Sequence, residues 1–324
     1  MGKNKKTFVL IEVALAAIVG IVAFLMILES RDDEFKISVI IRDSDDNRWS
    51  AFKYGLQMAA EDEGAELFVV GTDEVLTAEE SMNLLRDESA HGADAVIMQP
   101  VPGQDPREVL GEFGNKLPIL FVEYVVDEKG NASGIPAVGV DDYAMGAALA
   151  EELLRDYEKD LEGKRLGFLS QTTDARAVFE RIKGFKDALE GKGAKNVWTV
   201  SGSFIGTGVE FLAMQPEVDI VIAFDDDSLT MAGECAAANN LRGAAVYGIG
   251  NSTEAVYYLD TAVVECLLIP DEFSVGYQSM AKSIERLRRN FWEIDGERIP
   301  HTIVRRETLF SEENEGLFFV ISQK

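Results

Sequence analysis

Past residue 35 the chain alternates short apolar, β-branched runs with stretches whose apolar residues recur three and four positions apart. The runs "KISVII", "ELFVVG", "DAVIMQ" and "PILFVEY" are short enough and apolar enough to be buried strands. The intervening stretches, 48–63, 78–91 and 106–115, read as amphipathic helices, with Phe52, Leu56 and Ala59 on one stripe. A second series follows "AVGVDD", with strands at "RLGFLS", "VWTVS", "DIVIAF" and "AVYGI" and helices near 143–158, 176–190, 206–214, 227–240 and 252–259. Strand and helix in strict alternation predict βαβ units and parallel sheets, so the expected fold class is α/β, with two Rossmann-like, doubly wound lobes.

The first 31 residues break this pattern. "KNKK" precedes "TFVLIEVALAAIVGIVAFLMIL", an apolar run of roughly twenty residues, which at ~1.5 Å per residue spans a ~30 Å hydrocarbon core. Glu12 interrupts the run near its Lys-rich end, where a carboxylate reaches the interface at lower cost than at the bilayer centre. Lys3, Lys5 and Lys6 lie on one side and "ESRDDEF" on the other, so the positive-inside rule sets the amino terminus in the cytoplasm and the body outside. No pair of small residues marks a cleavage site in "FLMILESRDDEF", so residues 1–31 are expected to remain as a transmembrane anchor in the cell membrane. Cleavage near Ser30 is the alternative.

Composition narrows the function. The 324 residues are 47% hydrophobic and 27% charged, enough for a two-lobed globular body. Lys and Arg number 31 against 57 Asp and Glu, a net charge of −26 that repels phosphate backbones, so nucleic acid is not an expected partner. Cys235 and Cys266 have no CxxC spacing, and no metal site or redox motif is predicted. "GSFIGTG" and "GIGNS" lack the GxGxxG spacing of a dinucleotide site and read as turns, so no cofactor is expected. His91 and His301 are the two histidines, and no set of nucleophile, base and orienting group assembles around them; the chain is not expected to be an enzyme.

In doubly wound sheets ligands gather beyond the carboxyl ends of the strands, where loops converge and helix amino termini offer donors. Polar and aromatic residues collect at that edge here: "RDSDDNRWS" after the first strand, Glu123 and Tyr124, Asp141 and Asp142, the "QTTDAR" loop with Arg176, Asp225 to Asp227, and Asn251. Trp49 is either a ring that stacks on a ligand or a staple at the start of a helix, and Asp46 or Asn47 is either a ligand group or a helix cap.

The blocks "SVIIRDSDDNRWSAFKYGLQMAAEDEGAELFVV", "HGADAVIMQPV", "LPILFVEY", "GVDDYAMGAALAEELL", "FERIKGFKDAL" and "VIAFDDDSLTMAGECAAAN" resemble, in order and spacing, the type I periplasmic binding proteins, in particular the ribose-binding and galactose-binding branch. The resemblance runs from about residue 36 to the end. It implies two lobes joined by a three-strand hinge, with a sugar clamped between them by closure. The crossings would fall near Asp141, Ile269 to Asp271, and His301 to Val304. The first lobe would then comprise 35–141 plus 272–302, and the second 142–271 plus 303–324, with "LFFVIS" ending in the second. Position by position, Asp46, Arg48 and Trp49 fall where the first loop of such proteins touches sugar. Glu123 and Tyr124 replace an Asp-Arg pair, Phe179 a common Arg, Asp225 a usual Asn, Gly250 an Asp and Leu268 a Gln. Carboxylates, amides and guanidinium groups match neighbouring hydroxyls, and aromatic rings cover the C–H face of a pyranose.

The resemblance implies a carbohydrate-binding protein that delivers its sugar to an ABC permease. The alternative is an anchored sugar sensor that signals through a membrane histidine kinase.

Overall fold

A computed structural model of the protein describes residues 34–45, 49–72, 76–114, 116–123, 135–171, 176–202, 208–289, 296–311 and 314. The expected anchor over 1–31 and the closing run "LFFVIS" lie outside the described residues, as do Asp46, Arg48 and Tyr124. Among the described residues no helix is long and apolar enough to cross a membrane. By internal contacts the chain divides into Met1–Phe35 and Lys36–Lys324, and the architecture below is that of the second unit.

Twelve strands and nine α-helices are described. In chain order they are β1 (Phe35–Ile40), α1 (Ser50–Glu63), β2 (Ala65–Val69), α2 (Ala78–Ala90), β3 (Ala95–Met98), α3 (Pro106–Phe113), β4 (Ile119–Val122) and β5 (Ala137–Val140). There follow α4 (Asp142–Asp156), β6 (Arg165–Ser170), α5 (Arg176–Ala188), β7 (Lys195–Ser201), α6 (Gly208–Ala213), β8 (Ile220–Ala223), α7 (Asp226–Ala237), β9 (Ala245–Ile249) and α8 (Thr253–Asp260). Last come β10 (Cys266–Pro270), α9 (Glu272–Arg289), β11 (Glu297–Ile299) and β12 (His301–Val304).

The strands form two six-stranded sheets, ordered β11-β5-β4-β3-β1-β2 and β12-β10-β9-β8-β6-β7. Pairing is parallel at β1–β3, β3–β4, β4–β5 and β5–β11 in the first sheet. In the second only β10 with β12 is antiparallel. Every residue of β3, β4, β8 and β10 is buried, as expected of parallel strands covered by helices on both faces. In the first lobe α2 and α3 close one face through Leu85, Val109 and Phe113, while Phe52 and Leu56 of α1 and Met280 and Ile284 of α9 are buried on their own stripes. In the second, α4 and α5 cover one face and α6, α7 and α8 the other.

The chain crosses between sheets three times. It leaves the first at β5 for α4, returns from β10 into α9, and passes from β11 to β12 through Pro300. Beyond the last crossing His301 and Thr302 pair with Pro270 and Ile269 in the second sheet.

Candidate functional site

In each sheet the chain winds out through one strand and back through another, and the strand order reverses between β1 and β3 and between β6 and β8. Loops diverge at such a switch point and leave a crevice beyond the carboxyl ends of the strands. A cleft of about 540 Å³ lies there. From the first lobe it is lined by Arg42 after β1, Gln99 and the loop through Gln104 after β3, and Glu123 after β4. From the second it is lined by Gln171 after β6, Arg176 and Arg181 of α5, and Asp225 after β8. Asp142 and Glu272, each the first residue of a helix that follows a crossing, close the hinge end.

Local hydrogen bonds fix most of these groups. The Arg42 backbone N–H donates to Gln99 Oε1 at 3.0 Å, and Gln99 Nε2 donates to Glu123 Oε2, which joins three strand ends by one amide. Glu123 itself sits in the left-handed region at φ 48°, a conformation that costs a non-glycine residue on the order of 1 kcal/mol or more. Across the cleft, Asp225 caps α7 by accepting from the Ser228 N–H at 3.0 Å and holds the Gln171 N–H at 2.7 Å. Arg181 donates from Nε to Asp142 Oδ1 at 2.8 Å and from Nη1 to the Phe224 carbonyl at 3.0 Å. Both members of that pair are nearly buried, so each neutralises a charge that would otherwise be costly to desolvate.

Glu272, at the hinge end of the cleft, has strongly perturbed surroundings. Burial, with Glu123 adding repulsion, pushes its carboxyl up to about 7, against a smaller opposing pull from Arg181. It therefore holds its proton to near neutrality, and a protonated carboxyl is a donor as well as an acceptor.

Four of the sequence candidates, Glu123, Arg176, Asp225 and the neighbour Asp142, meet in this cleft. Trp49 does not line it. The indole is only 2% exposed, donates Nε1–H to the Arg42 carbonyl at 3.0 Å and packs on Phe52 with ring centroids 5.5 Å apart, so the ring anchors the loop from behind instead of presenting a face to ligand. Phe179 is 57% exposed and lies outside the lining, on a helix whose Arg176 and Arg181 line the cleft. Asp141 caps α4 through the Ala144 N–H and pairs with Arg298 at 2.9 Å, a hinge role. Asn251 receives its place from Asp226, whose Oδ1 accepts the Asn251 N–H at 2.7 Å, and lies outside the lining. Leu268 is fully buried in the core of the second lobe, and a Cβ on Gly250 would crowd Asp226.

Gln99, Gln104, Arg181 and Glu272 were not among the candidates, and Arg42 and Gln171 lay in the candidate loops "RDSDDNRWS" and "QTTDAR" without being singled out. Gln99 carried a signal, since it directly follows β3. Glu272 carried none, because only the return of the chain at the second crossing brings it beside Glu123.

Among the described residues no cluster of His, Cys, Asp and Glu could hold a metal ion, and Cys235 and Cys266 are buried thiols outside any disulfide. Burial pushes the Cys235 thiol up to about 11 and the Cys266 thiol up to about 12, which keeps them protonated and unreactive.

None of the curated proteins matches the sequence significantly. Solved structures share the fold. A carbohydrate transporter solute-binding protein from Agrobacterium radiobacter, in complex with D-arabinose, is 18% identical, covers 88% of this chain and 99% of its own, and superposes with a TM-score of 0.75. An ABC transporter solute-binding protein from Bacillus halodurans with bound myo-inositol is 18% identical over 89% of this chain and 99% of its own, with a TM-score of 0.70. A chain of the XylFII-LytSN complex is 15% identical over 85% of this chain and 98% of its own, with a TM-score of 0.68. The family model described as "periplasmic binding protein domain" matches residues 37–287, more than half of the sequence, and the chain belongs to that family.

Proposed function

We propose that this protein is an extracytoplasmic carbohydrate-binding protein that clamps a sugar between its lobes and delivers it to an ABC importer. The observation that carries the reading is the cleft itself. Planar polar groups from both lobes, Arg42, Gln99 and Glu123 on one side and Gln171, Arg176 and Asp225 on the other, converge on a volume suited to a small polyhydroxylated molecule. A ligand bridging the two sets is bound more tightly when the lobes close, so binding and closure are the same event. The D-arabinose and myo-inositol held by structural neighbours support a sugar or a cyclic polyol as ligand. The family's members bind ligands without transforming them, which supports a binding role over catalysis. Residues 1–31 are proposed to tether the body to the outer face of the cell membrane.

A second reading is favoured by the XylFII-LytSN neighbour: a tethered sensor whose closed form docks on a membrane kinase instead of a permease. A tether suits a fixed partner, because it confines receptor and partner to the same surface.

A thermal-shift screen of the full-length protein against pentoses, hexoses, inositols, oligosaccharides and amino sugars tests the ligand class. A ligand at a hundredfold excess over Kd stabilises the folded state by about 2.7 kcal/mol. No shift with any member would reject the carbohydrate reading. Cross-linking in membranes with and without the sugar then separates the two readings by which partner is captured.

A further inference from the structure

The two sheets end in outer strands of different character. β7 closes one side of the second sheet, and the residues it exposes are Lys195, Asn196, Thr199 and Ser201. Polar and charged groups of this kind keep an open strand edge from pairing with other chains. β2 is the outer strand of the first sheet, and it exposes Phe68 to 47% and Val69 to 38%. The Val70 N–H donates to the Val39 carbonyl at 2.9 Å, so the Val70 backbone faces β1. By the two-residue period of a strand, the backbone groups of Leu67 and Val69 then point away from the sheet, to an edge on which no strand pairs among the described residues. Beside this edge a groove of about 300 Å³ runs between the end of β2 and α2. Leu76 and Leu84 line it with partly buried side chains, Glu80 and Asp87 with exposed ones. Val70 packs in the same cluster as Leu76 and Leu84, and Phe68, two residues earlier, shares its face of the strand, so the exposed ring stands on the groove's side of the edge.

Charge around the edge is mostly of one sign. Glu66 of β2, Glu61 in the last turn of α1, and Glu79, Glu80 and Asp87 of α2 are all exposed or partly exposed. The neighbouring cations are engaged: Arg86 holds Glu112 and Asn83, Arg288 holds Glu63, and Lys53 donates to the Ser44 carbonyl. Lys36 lies at the start of β1, whereas the groove follows the end of β2.

We propose that the β2 edge is the docking surface for a protein partner that lays an extended segment alongside β2, with basic residues toward Glu66, Glu80 and Asp87 and an apolar residue on Phe68. This rests on the reading that the protein works with a membrane partner, and it says where that partner is met. Main-chain bonds to Leu67 and Val69 supply affinity, while the acids and the ring select the partner. A second copy of this chain is the wrong partner, since it brings the same acids to a molecule of net charge −26. In the sheet order β2 lies at the opposite side from β5 and β11, the strands that lead into crossings, so docking there requires no closure of the lobes.

Calorimetric titration of the full-length protein with a synthetic peptide of alternating lysine and valine, blocked at both ends, tests this in about 0.1 M salt, where the long-range field is screened. The peptide should bind, and the same peptide with glutamate in place of lysine should not. Val69→Pro removes an outward N–H without touching the bond to β1, and Asp87→Lys reverses a charge at the groove; each should weaken binding by about tenfold or more. Glu190→Lys makes the same change in net charge at an exposed site on the second lobe, and should alter binding by less than about threefold. No binding to wild type, or equal weakening by Asp87→Lys and Glu190→Lys, the mark of attraction to overall charge, would overturn the proposal. So would a dimer of the full-length protein that Val69→Pro dissolves, which would assign the edge to a second copy. The titration uses no sugar, so its failure would leave the sugar-clamp reading standing, and an empty sugar screen would leave the docking edge standing.

Discussion

Glu272 and Trp49 show how residue identity is decided by position. A carboxyl raised from 4.5 when unfolded to about 7 when folded stabilises the protein fully below the unfolded value, and that contribution is lost as the pH rises through the folded value. Glu272→Gln should therefore match wild type near pH 4.5 and exceed it above pH 7, by on the order of 3 kcal/mol. Urea unfolding at a series of pH values checks this; parallel curves for the two proteins would show that the carboxyl is not perturbed. Trp49→Ala should cost roughly 3–5 kcal/mol, as for a core aromatic, since the indole is buried on Phe52 and its N–H holds the Arg42 carbonyl. Arg176→Ala, whose side chain lines the cleft from an exposed helix start, should leave stability within about 0.5 kcal/mol and weaken sugar binding. Equilibrium unfolding beside calorimetric titration separates the two outcomes.

At the scale of elements, both lobes rely on a pair of helices in near backbone contact. A Cβ on Gly55 would strike the Phe273 carbonyl and one on Gly276 the Phe52 carbonyl, so α1 and α9 approach through reciprocal glycines. The same exchange joins α4 and α5 through Gly146 and Gly184. Here the missing side chain is the requirement, because the colliding atoms are backbone and cannot rotate away. Gly276→Ala should force the helices apart and destabilise by about 1–3 kcal/mol, the usual cost of overpacking, even though alanine is the better helix former. It should also displace Glu272, four residues ahead on the same helix, so calorimetry should show weaker ligand binding along with the lower thermal midpoint. A stabilised variant would mean that the helices are not held in contact.

For the whole molecule, charge and the return path of the chain matter most. A net charge of −26 makes the compact state repel itself, and added salt screens that field, with a Debye length falling from about 30 Å at 0.01 M to about 10 Å at 0.1 M. The thermal midpoint should rise over that interval, as differential scanning calorimetry would record, and a fall would point to stabilising ion pairs as the larger effect. Arg305 is the most exacting of those pairs. It follows the last crossing and donates to Glu152 Oε2 at 2.6 Å and to Asp156 Oδ2 at 3.0 Å, where Tyr247 also bonds Asp156 at 2.7 Å. Arg305→Met leaves Glu152 without its principal cation in a nearly buried place and should cost about 3–5 kcal/mol on urea unfolding. A loss below 1 kcal/mol would assign the pair to the solvated surface.

The alternation of "KISVII", "DAVIMQ" and "DIVIAF" with amphipathic stretches was enough to determine two doubly wound lobes, because strand and helix periods are local properties of a chain with buried sheets. It also located the loops beyond the strands, and so Glu123, Arg176 and Asp225, since chain direction fixes which end of a parallel strand meets the ligand crevice. The tertiary structure alone decided which side chains on those loops face inward. Trp49 turns into the core and Phe179 outward, because helix rotation is set by packing against a sheet formed from distant segments. It alone placed Glu272 beside Glu123 and Asp142, groups far apart in the sequence whose charges act on one another only where three crossings fold the lobes together.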